Sequence, residues 1–253
     1  MQSFDRTLRR VRRVILPWAQ RVGVRSSEGH RPEGGLLREV VFGANDGFVS
    51  NVALVAAIAG GTDDPDVILL GGVAGLVAGA ISMGLGAYVS SKSEREYRQA
   101  EEARERWEVV HMREQEIAET RQIFKMKGLS EALANEVVEA VAQDEDNWVK
   151  LMMTEELGFS NQPPNPRLSA AVMGMAFAAA AFFPVFPYAF LEGTAAFATS
   201  VGATAAALVV VSAWRAYLTS GNVARQAFEM IALAGLAVAV SNGIGRLVGV
   251  GLG

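Results

Sequence analysis

Between Ser93 and Gly158 the chain carries a charged block that no bilayer interior would accept, and on both sides of it lie runs that water would not. The block holds 17 of the chain's 27 acidic residues against 9 basic ones, a local charge of −8. The chain is 51% hydrophobic and its mean hydropathy is positive, although 20% of its residues are charged. That mixture fits segregation into apolar spans and a polar insert better than one evenly folded soluble domain. The expected fold class is all-α: a polytopic membrane protein with five transmembrane helices and a three-helix insert on one side. There is no cysteine, so disulfides and thiolate metal sites are excluded, and His30 and His111 leave little imidazole.

The expected organisation is a basic segment over 1–35, spans one and two over 36–92, the acidic insert over 93–166, and spans three to five over 167–253. The first span runs from Leu36 to Gly60 and the second from Val67 to Val89, joined by the acidic turn Thr62–Asp66. Gly71, Gly75 and Gly79 repeat every four residues, a smooth strip for close helix contact. The second span is free to continue into the insert. After the linker Pro163-Pro164-Asn165-Pro166 come apolar stretches near Leu168–Tyr188, Gly193–Tyr217 and Ala227–Leu252, with Pro184 and Pro187 ending or kinking the first of them. Each is long enough to cross ~30 Å of hydrocarbon. Within the insert, Gly128 followed by Ser130 reads as a helix stop and a new N-cap.

Residues 1–38 contain nine arginines, with Phe4, Leu8, Val11 and Ile15 at helical spacing. The segment reads either as an amphipathic helix on an anionic leaflet or as a disordered basic leader that sets topology. Five spans put the termini on opposite sides. The basic segment, the insert and the Arg215–Arg225 loop fall on one side, whereas Thr62–Asp66 and Phe186–Glu192 carry no Lys or Arg. The positive-inside rule therefore makes the N-terminus and the insert cytoplasmic. A bacterial inner membrane or an organelle membrane would serve. Membrane lipids are expected partners, and nucleic acid is not.

Asp46 lies about ten residues into the first span, where an unpaired carboxylate costs a few kcal/mol or more. Ser50 follows one turn later, and Asn45 and Asn51 add polarity. Such an acid marks an ion ligand or proton carrier; the plainer alternative is an N-cap among headgroups. Met83, on the second span, is packing filler by itself, but beside a buried acid it offers a mixed oxygen and thioether site suited to transition metals rather than Mg2+ or Ca2+. In the insert, Glu105, Glu108, Met112, Glu116 and Glu119 are spaced 3, 4, 4 and 3. On one unbroken helix at ~100° per residue, all five fall within an ~80° arc. Like charges so spaced repel unless a cation sits among them. A solvated charged helix is the alternative, and Arg104, Arg106 and Arg113 favour it in part. Met152 and Glu156 lie one turn apart on a later helix able to pack alongside. Carboxylates with a thioether suit Fe2+, Mn2+, Co2+ or Zn2+. Glu108 and His111 also form one Glu-x-x-His motif of the kind that ferritin-like di-iron sites use in pairs, and only one copy is present.

On these residues the chain resembles the vacuolar iron transporter (VIT/CCC1) family. FGANDGFVSN and AGAISMGLGAYVS carry the resemblance in spans one and two, and the glutamate-rich insert ending in LMMTEELGF carries it between the spans. The likeness covers about residues 36–252. It implies a homodimer of five-span subunits that exports Fe2+ from the cytosol in exchange for protons, through a pore lined by the first span. It implies an intramembrane metal site at Asp46 and Met83, and a cytoplasmic metal-binding domain with Glu105, Glu108, Glu116, Glu119, Met152 and Glu156 as ligands. Many relatives have GEYVS where this chain has Gly86-Ala87-Tyr88, and many carry a proline near Val110–Met112 that would break the helix.

The expected function is thus a secondary transporter, not an enzyme and without catalytic residues, moving Fe2+ with Mn2+, Co2+ or Zn2+ as other candidates. Its pathway would include Asp46, Met83, Ser50 and Asn45. The alternatives are a membrane-tethered metal buffer or ferroxidase without transport, and a channel without proton coupling.

Overall fold

The computed structural model describes residues 34–159, 164–219 and 221–252. The basic segment's helix-or-leader question concerns residues that lie outside these, as do residues 160–163 near the end of the insert. Every regular element among the described residues is helical: α1 Gly34–Gly61, α2 Pro65–His111, α3 Arg113–Met126, α4 Glu131–Val141, α5 Glu145–Glu155, α6 Pro166–Val185 with a 3-10 turn over Phe186–Ala189, α7 Gly193–Thr219 and α8 Val223–Leu252. Five of these helices are long and apolar enough to cross a membrane, in the order expected.

The helix starts follow from local chemistry. Asp64 Oδ1 accepts from the Asp66 and Val67 amides (2.9 and 3.4 Å), with Pro65 opening α2. Asn165 caps α6 in the same way, accepting from Arg167 and Leu168 (3.1 and 3.3 Å) ahead of Pro166. Gly128 at φ +88° stops the chain after α3, and Ser130 caps α4 by accepting from Leu133 N–H.

The chain divides into two units. The polar unit takes in Glu94–Pro163, and the membrane unit combines Glu33–Ser93 with Pro164–Gly253. Helix α2 runs unbroken for 47 residues, giving its apolar part to one unit and its charged part to the other. The polar unit is built around Val109, Ile123, Trp148, Val149, Met152 and Met153.

The insert differs from the sequence expectation in one respect. Glu105 to Glu119 do not lie on one helix, because α2 ends at His111 and α3 begins at Arg113, with Met112 between them at φ −119°, ψ 32°. The insert therefore holds the end of α2 and three further helices. No proline causes the break. Arg113 supplies a physical reason: its guanidinium donates to the Ala142 carbonyl (2.6 Å) and lies over the Trp148 ring, 5.2 Å from the centroid. A turn at Met112 lets Val109 from α2 and Ile123 from α3 share one core, and it takes the glutamates off a single repelling stripe.

In the membrane unit α1 is the central contact. Gly43 and Gly47 lie against the α6 backbone at Met173 and Phe177. Gly60 and Gly61 meet α8 at Asn242 and Gly245, and a Cβ on Gly245 would run into the Ala57 carbonyl. Two amides tie the spans as polar glue. Asn51, buried, donates to the carbonyls of Ala181 (2.8 Å) and Gly72 (3.4 Å), and Asn242 donates to that of Ala56 (2.9 Å). The strip Gly71, Gly75 and Gly79 is filled from within the chain by Ile58, Leu54 and the Phe177 ring. Its smoothness serves close helix contact within the subunit, as its spacing implies.

Gly245→Leu should push α8 off α1 and destabilise the membrane unit by about 1–3 kcal/mol. Gly235→Ala, where an added Cβ meets nothing within 4 Å, should leave the melting temperature of the detergent-solubilised protein unchanged. Equal melting of both variants would contradict the close contact.

Candidate functional site

In the polar unit the end of α2 brings Glu105 and Glu108, α3 brings Glu116 and Glu119, and α5 with its C-cap brings Met152 and Glu156. Glu105 and Glu116 are buried, 2% and 4% exposed, and each has an Oε2 without a hydrogen-bond partner. The glutamates act on one another. Burial, then Glu156, Glu116 and Glu108, raise the Glu105 carboxyl from 4.5 to about 7. Burial, then Glu119, Glu108 and Glu156, raise Glu116 likewise to about 7. Burial, Glu119 and Glu108 also raise Glu156. Arg104 opposes all three shifts and pairs with Glu108 at 3.1 Å.

These five carboxylates thus converge although they come from three helical segments. Among the described residues, no three of them stand close enough together to grip an ion in the observed rotamers.

The thioether is buried and met by a hydroxyl. Met152 is fully buried, and its Sδ lies 3.3 Å from the Thr120 hydroxyl. That hydroxyl accepts from Trp148 Nε1 (2.8 Å) and also reaches the Glu116 carbonyl at 2.7 Å. Arg106 pairs with Asp146 at 2.5 Å, lowering the Asp146 carboxyl, and Lys127 pairs with Glu155, so the surrounding helices are clasped by charge. Met112 sits at the helix break and is 37% exposed, not on the shared face that an unbroken helix would give it. His111 is exposed: its Nδ1 lies 2.8 Å from the Trp107 carbonyl and its ring stacks on Trp107. Glu108 acts on both buried glutamates, whereas the His111 ring is engaged by Trp107 of its own helix.

In the membrane unit Asp46 is half-buried on α1, and no ion pair among the described residues involves it. The Ser50 hydroxyl donates to the Asp46 backbone carbonyl (2.5 Å), so it is spent on the helix itself. Phe42, Ser50 and Leu54 are exposed, and Val49 and Ala53 are half-buried. At ~100° per residue these side chains and Asp46 share the side of α1 that the other described helices leave most open, with Leu54 at its edge against Gly75 of α2. Asn45 is half-buried, with an Oδ1 that has no partner. Met83, half-buried on α2, follows Gly79 and precedes Gly84, which lie against Phe177 and Ala170 of α6. Asp46 lies between Gly43 and Gly47, which meet the same stretch of α6. Asp46 and Met83 therefore stand at one level of the unit.

Sequence reasoning missed Thr120 and Trp148, which steady the thioether, and the buried acid Glu39 on α1. The Trp148–Met152 spacing of one turn, next to acids, was the available signal for the first pair.

Glu105 and Glu116 also set a pH dependence. Their folded values lie near 7 and their unfolded values near 4.5, so the stability they confer is intact below about 4.5 and lost as pH rises through about 7. The metal-free protein should melt roughly 5 °C lower at pH 8 than at pH 5.5. The Glu105→Gln/Glu116→Gln variant should flatten that slope, and a slope of unchanged size would rule out these two as its source.

The chain's relatives point the same way as its spans. The sequence profile of the VIT family matches residues 37–246. The chain is similar to "Vacuolar iron transporter 1" of Arabidopsis thaliana, 31% identical over 224 residues that cover 88% of this chain and 90% of the relative. It is similar to the protein of that name from Oryza sativa subsp. japonica, 31% identical over 223 residues, 87% and 88% of the two chains. A "Vacuolar iron transporter" of Toxoplasma gondii is 35% identical over 225 residues, 83% and 74% of the two chains. With more than half its length matched by the family profile, and relatives of this identity aligned over most of its length, the chain belongs to the VIT family.

Proposed function

We propose that the chain exports a divalent transition metal, Fe2+ foremost, from the cytosol in exchange for protons. The observation that carries this reading is the pair of buried carboxylates, Glu105 and Glu116, whose orphaned oxygens lie among Glu108, Glu119 and Glu156 beside the buried thioether of Met152. A group of acids held out of water and against one another is stabilised by a cation that replaces the missing solvent and offsets the repulsion. A thioether in the set favours a transition metal over Mg2+ or Ca2+. The curated relatives are named as iron transporters, which supports Fe2+ as the cargo.

In this reading the polar unit lies in the cytosol and collects the ion. Asp46 takes it within the membrane, alternating between metal and proton, because each cation favours the ionised acid and each proton displaces the cation. Met83 selects for soft ions at the same level. Ser50 and Asn45 line the way. The uncovered side of α1 that carries Asp46 faces a second copy of the chain, so that the pathway runs between two subunits. A tethered buffer or ferroxidase would have no use for an unpaired acid on that face.

The test is transport by the purified protein in vesicles, with Fe2+, Mn2+, Co2+ and Zn2+ offered under an imposed pH gradient. Metal flux that follows the gradient is expected, and flux indifferent to it would leave a channel instead. Asp46→Ala should abolish metal-driven proton flux, and unchanged flux would refute its role. Glu105→Gln with Glu116→Gln should raise the half-saturating metal concentration about tenfold or more while leaving the proton-to-metal ratio intact. Metal binding by the wild type should strengthen as pH rises through about 7, where those two acids shed their protons.

A further inference from the structure

The membrane unit also holds a cavity of about 390 Å3 between α1, α7 and α8. Val52, Leu208 and Ala234 are buried at its floor. Ile231, Gly235 and Ala239 of α8 are exposed at its lip, so it opens through the apolar outer surface of a span. An apolar cavity of ~150 Å3 already takes up benzene.

The chemistry of the wall excludes an ion. Its polar side chains are Thr204 and Asn242. The Thr204 hydroxyl donates to the Ser200 carbonyl (2.8 Å), and the Asn242 amide donates to the Ala56 carbonyl (2.9 Å). With those groups spent on the protein, the rest of the wall is hydrocarbon, which suits hydrocarbon. The notch is also left unfilled by the chain. At Gly43, Gly47 and Gly245 a missing side chain lets another helix close in, whereas a Cβ added at Gly235 would meet nothing within 4 Å.

The dimensions narrow the occupant. Helices α7 and α8, joined by a short connection, run antiparallel. The lining runs from Phe197 to Leu208 on α7 and from Asn242 back to Ile231 on α8. Either stretch rises about 16.5 Å, close to one leaflet of a hydrocarbon layer ~30 Å thick. Spread over that length, the volume has a cross-section of roughly 24 Å2, far below the ~80 Å2 of a helix ~10 Å across. The groove fits one extended chain of methylenes and not a helix of a second copy.

Its mouth carries a charge. Arg246 follows Asn242 by one turn and, at ~100° per residue, falls within the arc of α8 that lines the groove. Its backbone amide lies beside Gly60, where α1 is about to end and the acidic turn begins, which is headgroup depth. Arg246 is exposed, and no ion pair among the described residues involves it. A guanidinium at the open end of a hydrocarbon groove is complementary to a phosphate carried on an acyl chain.

We propose that this groove binds one phospholipid per chain, with an acyl chain laid between α7 and α8 and its phosphate at Arg246. The site lies in the leaflet opposite the Arg215–Arg225 connection, and it does not depend on the transport reading.

The full chain, delipidated in detergent, is titrated with dioleoyl phosphatidylglycerol and, separately, with dioleoylglycerol, which has the same tails and no phosphate. Native mass spectrometry counts the lipids bound. One phosphatidylglycerol per chain should bind at the tightest step, and dioleoylglycerol at least about tenfold more weakly. Gly235→Phe should remove the tight step. Arg246→Gln should weaken phosphatidylglycerol about tenfold and leave dioleoylglycerol unchanged. Tight binding retained in Gly235→Phe, equal affinity of the wild type for both lipids, or no effect of Arg246→Gln would overturn the proposal. So would displacement by glycerol phosphate at matched concentration, which would make the site one for free phosphate. A wild type that binds no lipid here, with a subunit count that falls in Gly235→Phe, would give the groove to a second copy and overturn it too. If Gly235→Phe fails to fold, Ala239→Phe on the lip takes its place with the same deciding outcomes.

Discussion

A carboxylate taken out of water calls for a partner, and among the described residues one oxygen each of Glu105, Glu116 and Glu39 has none. The rest of the polar unit is arranged so that this cost can be borne. Trp148, Met152 and Val149 form a dry core beneath the acids, and Arg113 ties the start of α3 to the corner between α4 and α5. Arg104 answers part of the charge from the exposed side without burying itself among the acids. The unit therefore holds net negative charge in a fixed frame, with burial rather than neutralisation setting how its acids titrate.

The membrane unit solves a different problem with different means. Its helices are apolar on most sides, so the hydrophobic effect gives little preference for one neighbour over another in lipid. Close approach does. Glycines of α1 bring its backbone onto α6 and α8, and the amides of Asn51 and Asn242 register the contacts by donating to carbonyls on neighbouring helices. The consequence for function is that Asp46 sits on a helix clamped on its other sides, while the described helices leave one side of α1 more open.

Much of this was legible in the residues. Span boundaries followed from hydropathy and from Pro166, Asn165 and Asp64, which announce helix starts by chemistry that acts within a few residues. Gly128 and Ser130 announced a stop and a start in the same way. The glutamate set was legible from spacing, but its geometry was not. Nothing local marks Met112 as a break; the cause is Arg113 reaching residues 29 and 35 positions further along, a contact that spacing cannot express. The same holds for Thr120 with Trp148. Glu39, three residues into the first span, was passed over, and its burial shows only in the folded chain. The glycine strip on α2 was visible, yet which neighbour fills it depends on Ile58, Leu54 and Phe177 arriving from elsewhere.

The Thr120 hydroxyl has one proton and two acceptors within reach, the Glu116 carbonyl and the Met152 sulfur. Should the sulfur turn toward a soft ion, the proton can settle on the carbonyl without leaving a donor stranded, while the Trp148 indole goes on serving the oxygen. The thioether is on loan rather than locked, parked by a contact whose surrender orphans nothing. In the transport reading proposed above, a thioether kept that way would be ordered before capture yet cheap to release, which would suit a stopover better than a store.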